Sequence, residues 1–203
     1  MSIPTGIDRL DERLDGGVLP GTLFVITLPP GGEYIPLIRD GLKARRAVIL
    51  TSLKSETLIR KMLERSGVGL EDVALAELDP GKAPETIPAT LDTLDSSTSL
   101  YVNAADPIEK SVPTDLYVDL MNLVSERLYE VGTTGYLSCY RDGEPRYNRT
   151  VTLNVADFVV EIERVHEAGR LTHRLRVPKA NGVALTESDR TFEVTIDQAP
   201  PGA

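Results

Sequence analysis

The stretch that most constrains this chain is Phe24-Val25-Ile26-Thr27-Leu28 together with the turn after it. An apolar, β-branched run feeds the turn Pro29-Pro30-Gly31-Gly32, and an amphipathic segment begins at Ile35. The pattern predicts strand, tight loop, helix. In that geometry backbone N–H groups and a helix N-terminus converge into an anion site. A strand that is apolar at every position is buried on both faces, which calls for helices on either side of a parallel sheet.

The rest of the chain repeats the alternation. Leu10 and Leu14 share one face of a short helix that Gly16-Gly17 stops. A helix is expected over 35–44, with Leu37, Ile38 and Leu42 inward and Pro36 in its first turn. Ala47 to Thr51 reads as a buried strand. Ser55 is placed to cap the next helix, whose inward face is Leu58, Ile59, Met62 and Leu63. Val73 to Leu78 is a third strand, 86–95 a short helix and Ser99 to Ala104 a fourth strand. Pro113-Thr114-Asp115 opens the most regular helix, with Val118, Met121, Val124 and Leu128 at helical spacing and Gly132 at its end. Gly135 to Cys139 is the next strand.

Residues 140–150 read as a polar loop in which Arg141, Arg146 and Arg149 are solvated. The apolar period then changes from 3.6 to 2. Phe158 to His166 and Leu171 to Val177 alternate about Glu167-Ala168-Gly169-Arg170, the pattern of a β-hairpin. That turn sets Glu161 opposite Arg176 and Glu163 opposite Arg174. Arg190 to Ile196 is a last strand. The expected class is therefore α/β, a mainly parallel sheet flanked by helices with an antiparallel extension at its end. Residues 1–197 are read as one domain and 198–203 as a loose tail.

Composition narrows the function classes. There are 31 acids against 22 bases, 16 of them Arg, for a net charge of −9. No basic footprint for nucleic acid follows from such a balance. The charge suits a salt-rich cytoplasm, since the Debye length falls to about 3 Å at 1 M, and a halophilic host is the expectation; an ordinary acidic protein is the plainer reading. No apolar run approaches the roughly 20 residues that a membrane span needs, and the polar stretch Met1 to Leu10 lacks a signal-peptide core. Cys139 is the single cysteine, which fits a reducing cytoplasm and a buried thiol.

Several motifs in fixed order carry a resemblance. Thr5-Gly6-Ile7-Asp8-Arg9-Leu10-Asp11, then Gly16-Gly17-Val18-Leu19-Pro20-Gly21, then Ile26-Thr27-Leu28-Pro29-Pro30-Gly31 resemble the start of a KaiC-like domain of the RadA/RecA ATPase superfamily. Val155-Ala156-Asp157-Phe158 and Val177-Pro178-Lys179-Ala180-Asn181-Gly182 resemble that family's last strands. The resemblance covers roughly residues 4–197. It implies a RecA-like P-loop fold with a nucleotide site at Pro29, Pro30, Gly31, Gly32, Glu33, Tyr34, Ile35 and Asn103.

At those positions the chain departs from the family pattern. A phosphate-binding loop reads G-x-x-x-x-G-K-[ST]. Here its Lys falls on Tyr34, its Mg²⁺-ligating hydroxyl on Ile35, and an acid, Glu33, where backbone must approach phosphate. The metal-holding Asp of the Walker B strand falls on Asn103; Asp106 comes three residues on, past the strand. The family's catalytic acids fall on Leu53-Lys54-Ser55. A lost charge-assisted bond costs about 1.5–3 kcal/mol, so several such losses weaken nucleotide binding about 10³-fold or more. The resulting expectation is a catalytically inactive RecA/KaiC-like domain with no catalytic residues, no metal and no cofactor. It would act as a regulatory, signalling or protein-interaction module on a protein partner or an active paralogue. A nucleotide-binding ATPase or switch holding ATP or ADP with Mg²⁺ through an altered loop, with Lys54 in support, is the alternative. A homo-oligomer also stays open. Tyr34 is expected to fill the vacated pocket.

Overall fold

The computed structural model describes residues 2–32, 34–141, 147–167 and 170–194. The expected turn at Ala168-Gly169, Glu33, the end of the last strand and the tail lie outside them. In chain order the elements are α1 (Asp8–Arg13), β1 (Leu23–Leu28), α2 (Ile35–Ala44), β2 (Arg46–Thr51), α3 (Glu56–Arg65), β3 (Val73–Glu77), α4 (Ala83–Leu91) and β4 (Thr98–Asn103). Then come α5 (Asp106–Ser111), α6 (Thr114–Val131), β5 (Gly135–Tyr140), α7 (Tyr147–Val155), β6 (Phe158–Glu167), β7 (Arg170–Ala180) and β8 (Thr191–Val194). They build one eight-stranded sheet of order β3-β2-β4-β5-β1-β6-β7-β8. The pairings from β3 to β6 are parallel, and β6-β7-β8 are antiparallel.

Alternate side chains along each central strand feed one of two cores. Phe24, Ile26 and Leu28 of β1 pack with α1, α2 and α3; Leu23 and Val25 point the other way, toward α4 to α7. A row of rings crosses the first face. Tyr101, Tyr136, Phe24 and Phe158 stand at paired positions of β4, β5, β1 and β6. Their centroids are 4.6, 5.4 and 5.1 Å apart in succession. This places four of the ten aromatic residues in one stripe across the sheet, where burial and ring contact add together.

The hairpin register is the expected one: Glu161 pairs with Arg176 and Glu163 with Arg174. The ion pairs are shared more widely. Arg141 and Arg176 both stand between Glu161 and Glu163, at 3.7–4.0 Å, while Arg174 reaches Glu193 of β8.

Three expectations need correction. Residues 147–150 belong to α7, not to a loop, and α5 has no counterpart among the expected elements. Leu58 is 52% exposed, so the inward face of α3 is Ile59 and Leu63 with Met62 partly covered. Ser55 sits at the N-cap of α3 without a side-chain bond; Glu77 instead accepts the Glu56 N–H at 2.8 Å.

Candidate functional site: an open cleft at the sheet's C-terminal edge

The loops after β1, β2, β4 and β5 leave a cleft of about 530 Å³ at the C-terminal ends of the parallel strands. This is the edge at which open α/β sheets bind ligands. Pro30, Gly31 and Gly32 form one wall, Leu53 and Lys54 another; Asp106 and Tyr140 close it.

The loop after β1 is a tight turn. The Gly32 N–H donates to the Pro29 carbonyl at 2.9 Å, with Pro30 and Gly31 between them and Gly31 at φ +72°. Proline followed by a positive-φ glycine is the composition of a type II turn. A Cβ on Gly32 would stand 2.9 Å from the Pro29 oxygen, so the turn also needs glycine there. Neither proline has an N–H to offer an anion, and the Gly32 N–H is spent inside the turn. The loop is held from both sides: Arg164 of β6 donates to the Gly31 carbonyl, and the Tyr140 hydroxyl to that of Gly32 at 3.4 Å.

The residues after the loop pack into the core. Tyr34 precedes α2 and is 2% exposed; Ile35 is fully buried. Tyr34 packs in the cluster beneath α2 and does not line the cleft. Burial, and Tyr140 after it, push its phenol above the ordinary tyrosine range. Tyr34 thus packs in the core, and the cleft lined by Pro30, Gly31, Gly32, Leu53, Lys54, Asp106 and Tyr140 is open beside it.

Asn103 ends β4 and is also buried. Its Oδ1 accepts the Ser138 hydroxyl at 3.3 Å, and its carbonyl accepts the Ser52 N–H at 2.8 Å. It too is not among the residues that line the cleft. Lys54 enters the cleft from the turn after β2, where the Thr51 hydroxyl donates to the Lys54 carbonyl at 2.5 Å. Among the described residues its ammonium has one weak neighbour, the Met62 thioether at 3.7 Å.

Asp106 is the acid among the described lining residues of the cleft, and its carboxylate is committed. It accepts the Tyr140 N–H at 3.0 and 3.2 Å and the Arg149 guanidinium at 2.7 Å. Arg149 also forks onto Glu109, with Nε at 2.9 and 3.0 Å from the two oxygens, and donates to the Tyr140 carbonyl at 3.0 Å. Thr152 donates to Glu109 at 2.6 Å and meets the Tyr117 hydroxyl at 2.7 Å. Glu109 is 4% exposed. Arg149, expected as a solvated loop residue, is the centre of a buried network. The available signal was Asp106-Pro107, acid then proline, which opens helices. Cys139 lies beside the network, and burial pushes its thiol well above the ordinary range, which suits a structural residue. Among the described residues no three His, Cys, Asp or Glu side chains are grouped to hold a metal.

A family model, the family of unknown function DUF7125, matches residues 2–199. The chain belongs to that family. Among solved structures it is similar to the KaiC-like protein PH0186 from Pyrococcus horikoshii OT3, with a TM-score of 0.79 at 14% identity over 98% of this chain and 96% of that one. That likeness establishes the RecA/KaiC-like fold for this family member. Two curated relatives, the DNA repair protein RadA from two strains of Mycobacterium tuberculosis, are each 31% identical over 120 residues. The match covers 54% of this chain, which spans a quarter of their length. No helix among the described residues is long and apolar enough to cross a membrane.

Proposed function

We propose that this RecA/KaiC-fold domain does not hydrolyse ATP and acts by binding, as a regulatory or protein-interaction module. The observation that carries the reading is the state of the cleft's polar groups. The loop after β1 has two prolines and spends its Gly32 N–H on Pro29. The cleft's acid, Asp106, is neutralised by Arg149 and capped by the Tyr140 N–H. A triphosphate with Mg²⁺ needs several N–H donors, a lysine from the loop, and an acid free to hold the metal's water shell. The described residues do not match that set. The buried positions of Tyr34, Ile35 and Asn103 support the same reading, because each is occupied in packing.

Titration of MgATP by calorimetry at high salt, with phosphate release followed in parallel, tests it. The expected result is no saturation below about 1 mM, which corresponds to roughly −4 kcal/mol, and no turnover. Micromolar binding would overturn the reading. One observation favours a second function, a nucleotide-dependent switch: a 530 Å³ cleft with Lys54 inside it is roomy enough for a nucleotide. In that case Lys54→Ala lowers a measurable nucleotide affinity. DNA binding gains nothing from a net charge of −9.

A further inference from the structure

We infer that the cleft takes a single carboxylate with an apolar neighbour, presented as an Asp or Glu side chain by a segment of a partner protein. The inference rests on the reading of the domain as a binding module and names the chemistry of what it binds. It starts from charge. Among the described lining residues Lys54 is the one cation and Asp106 the one acid. Asp106 already has an arginine and a backbone N–H, so it neither competes for Lys54 nor repels a ligand with a free charge. Among the described residues Lys54 Nζ has only the Met62 sulfur, a weak acceptor, at 3.7 Å. One ammonium balances one carboxylate. A polyphosphate would keep most of its charge uncompensated, in a cleft whose turn offers few N–H groups.

The walls supply the second half of the specificity. Leu53, next to Lys54, is 55% exposed, and Leu58 is 52% exposed. Leu58 and Met62 are four residues apart on α3 and so share a face, and the Lys54 stem ends at Met62. The lysine thus has an open leucine before it in the chain and a thioether at its ammonium, and the helical face of that thioether carries a second open leucine. Pro30 and the Tyr140 ring continue the apolar lining inside the cleft. A lone exposed leucine means little. Leu53 in the cleft wall beside an ammonium with no acid partner among the described residues, and Leu58 on the Met62 face of α3, match an acidic side chain followed by an apolar one. At 530 Å³ the cleft holds a few residues of an extended segment.

The test uses two pools of blocked heptapeptides, random except for the central residue, which is Glu in one and Gln in the other. The full chain is immobilised at about 1 M salt, where long-range repulsion from its acidic surface is screened but a contact pair is not. The Glu pool is expected to be retained about tenfold or more over the Gln pool, with leucine and aromatic residues enriched beside the centre. Retention falls to the Gln level on Lys54→Met and persists on Lys54→Arg; a matching thermal melt of each variant shows that the fold is intact. Equal retention of the two pools, or unchanged retention on Lys54→Met, overturns the inference. So does phenylacetate displacing the retained peptides at their own concentration, since the ligand would then be a small carboxylate and not a partner's segment. MgATP is titrated into the same sample. Micromolar MgATP binding overturns the binding-module reading itself, whereas failure of the peptides without MgATP binding removes only this inference.

Discussion

Tyr34 has a hydroxyl that is buried and, among the described residues, without a hydrogen-bond partner. A buried hydroxyl left unpaired forfeits its hydration and gains nothing back. Removing it should therefore be harmless or helpful. Tyr34→Phe is expected to leave stability unchanged or raise it by about 1 kcal/mol, read as a higher urea midpoint with the same slope. A fall of that size would mean the hydroxyl has found a partner that the packing does not suggest. The same residue marks where sequence reasoning reached its limit. That position 34 is an aromatic in place of a charged residue is plain in the sequence. That its ring drops into the core beneath α2, and leaves the cleft open, depends on the backbone of the Pro29–Gly32 turn. Lys54 is legible as a candidate because it follows the neighbouring strand; the exposure of Leu58 is not, because helical spacing on α3 alone puts Leu58 inside.

The network that joins α5, β5 and α7 is the feature that periodicity could not find. Residues 147–155 contain Tyr, Asn, Thr and Val at seven of nine positions, all middling helix formers, and they come after a run of polar residues. Their helix is fixed by tertiary bonds. Asn148 donates to the Glu109 and Val112 carbonyls at 2.9 and 3.0 Å, tying α7 to the end of α5. Arg149 then neutralises Asp106 and Glu109 together. Breaking a buried pair from one side strands the other charge, at about 3–5 kcal/mol, whereas replacing both partners can be nearly neutral. Arg149→Met is thus expected to lower stability by about that amount, and a double variant with Glu109→Met to recover a large part of it. Denaturant unfolding of the two single variants and the double measures the coupling. Strict additivity would show that the two side chains do not hold each other. Because Asp106 is in the same network and also accepts the Tyr140 N–H, the damage in Arg149→Met extends to the cleft wall.

At the scale of the molecule, the motifs that made the fold legible prove to be structural. Asp11 accepts the Thr5 N–H and hydroxyl at 2.8 and 2.7 Å and the Gly6 N–H at 3.2 Å. A Cβ on Gly6 would stand 2.6 Å from the Gly41 nitrogen of α2, and one on Gly17 only 2.0 Å from the Ile3 carbonyl oxygen. Asp157 accepts the Leu23 N–H at 2.9 Å and so anchors the start of β1 beside β6. Those residues close the N-terminal segment on itself and against α2 and tie β1 to the start of β6, away from the cleft lining. The cleft was less legible because its own positions departed from the pattern, and a departure names no replacement chemistry. Charge is the remaining property of the whole. With 31 acids against 22 bases, at least nine acids have no cation to match them one for one, and their mutual repulsion opposes compaction. Salt acts on the two kinds of interaction differently. Contact pairs such as Arg60–Glu56 at 2.7 Å and Arg127–Glu130 at 2.9 Å are no longer than the roughly 3 Å Debye length at 1 M, and exposed pairs contribute only about 0–1 kcal/mol each in any case. Repulsion among unmatched acids acts over longer distances and is the part that salt removes. The melting temperature is therefore expected to rise steadily between about 0.1 M and 1 M KCl, and to rise as much in choline chloride, because screening does not depend on the cation's identity. A melting temperature that falls with salt would show that the surface ion pairs outweigh the unmatched acids.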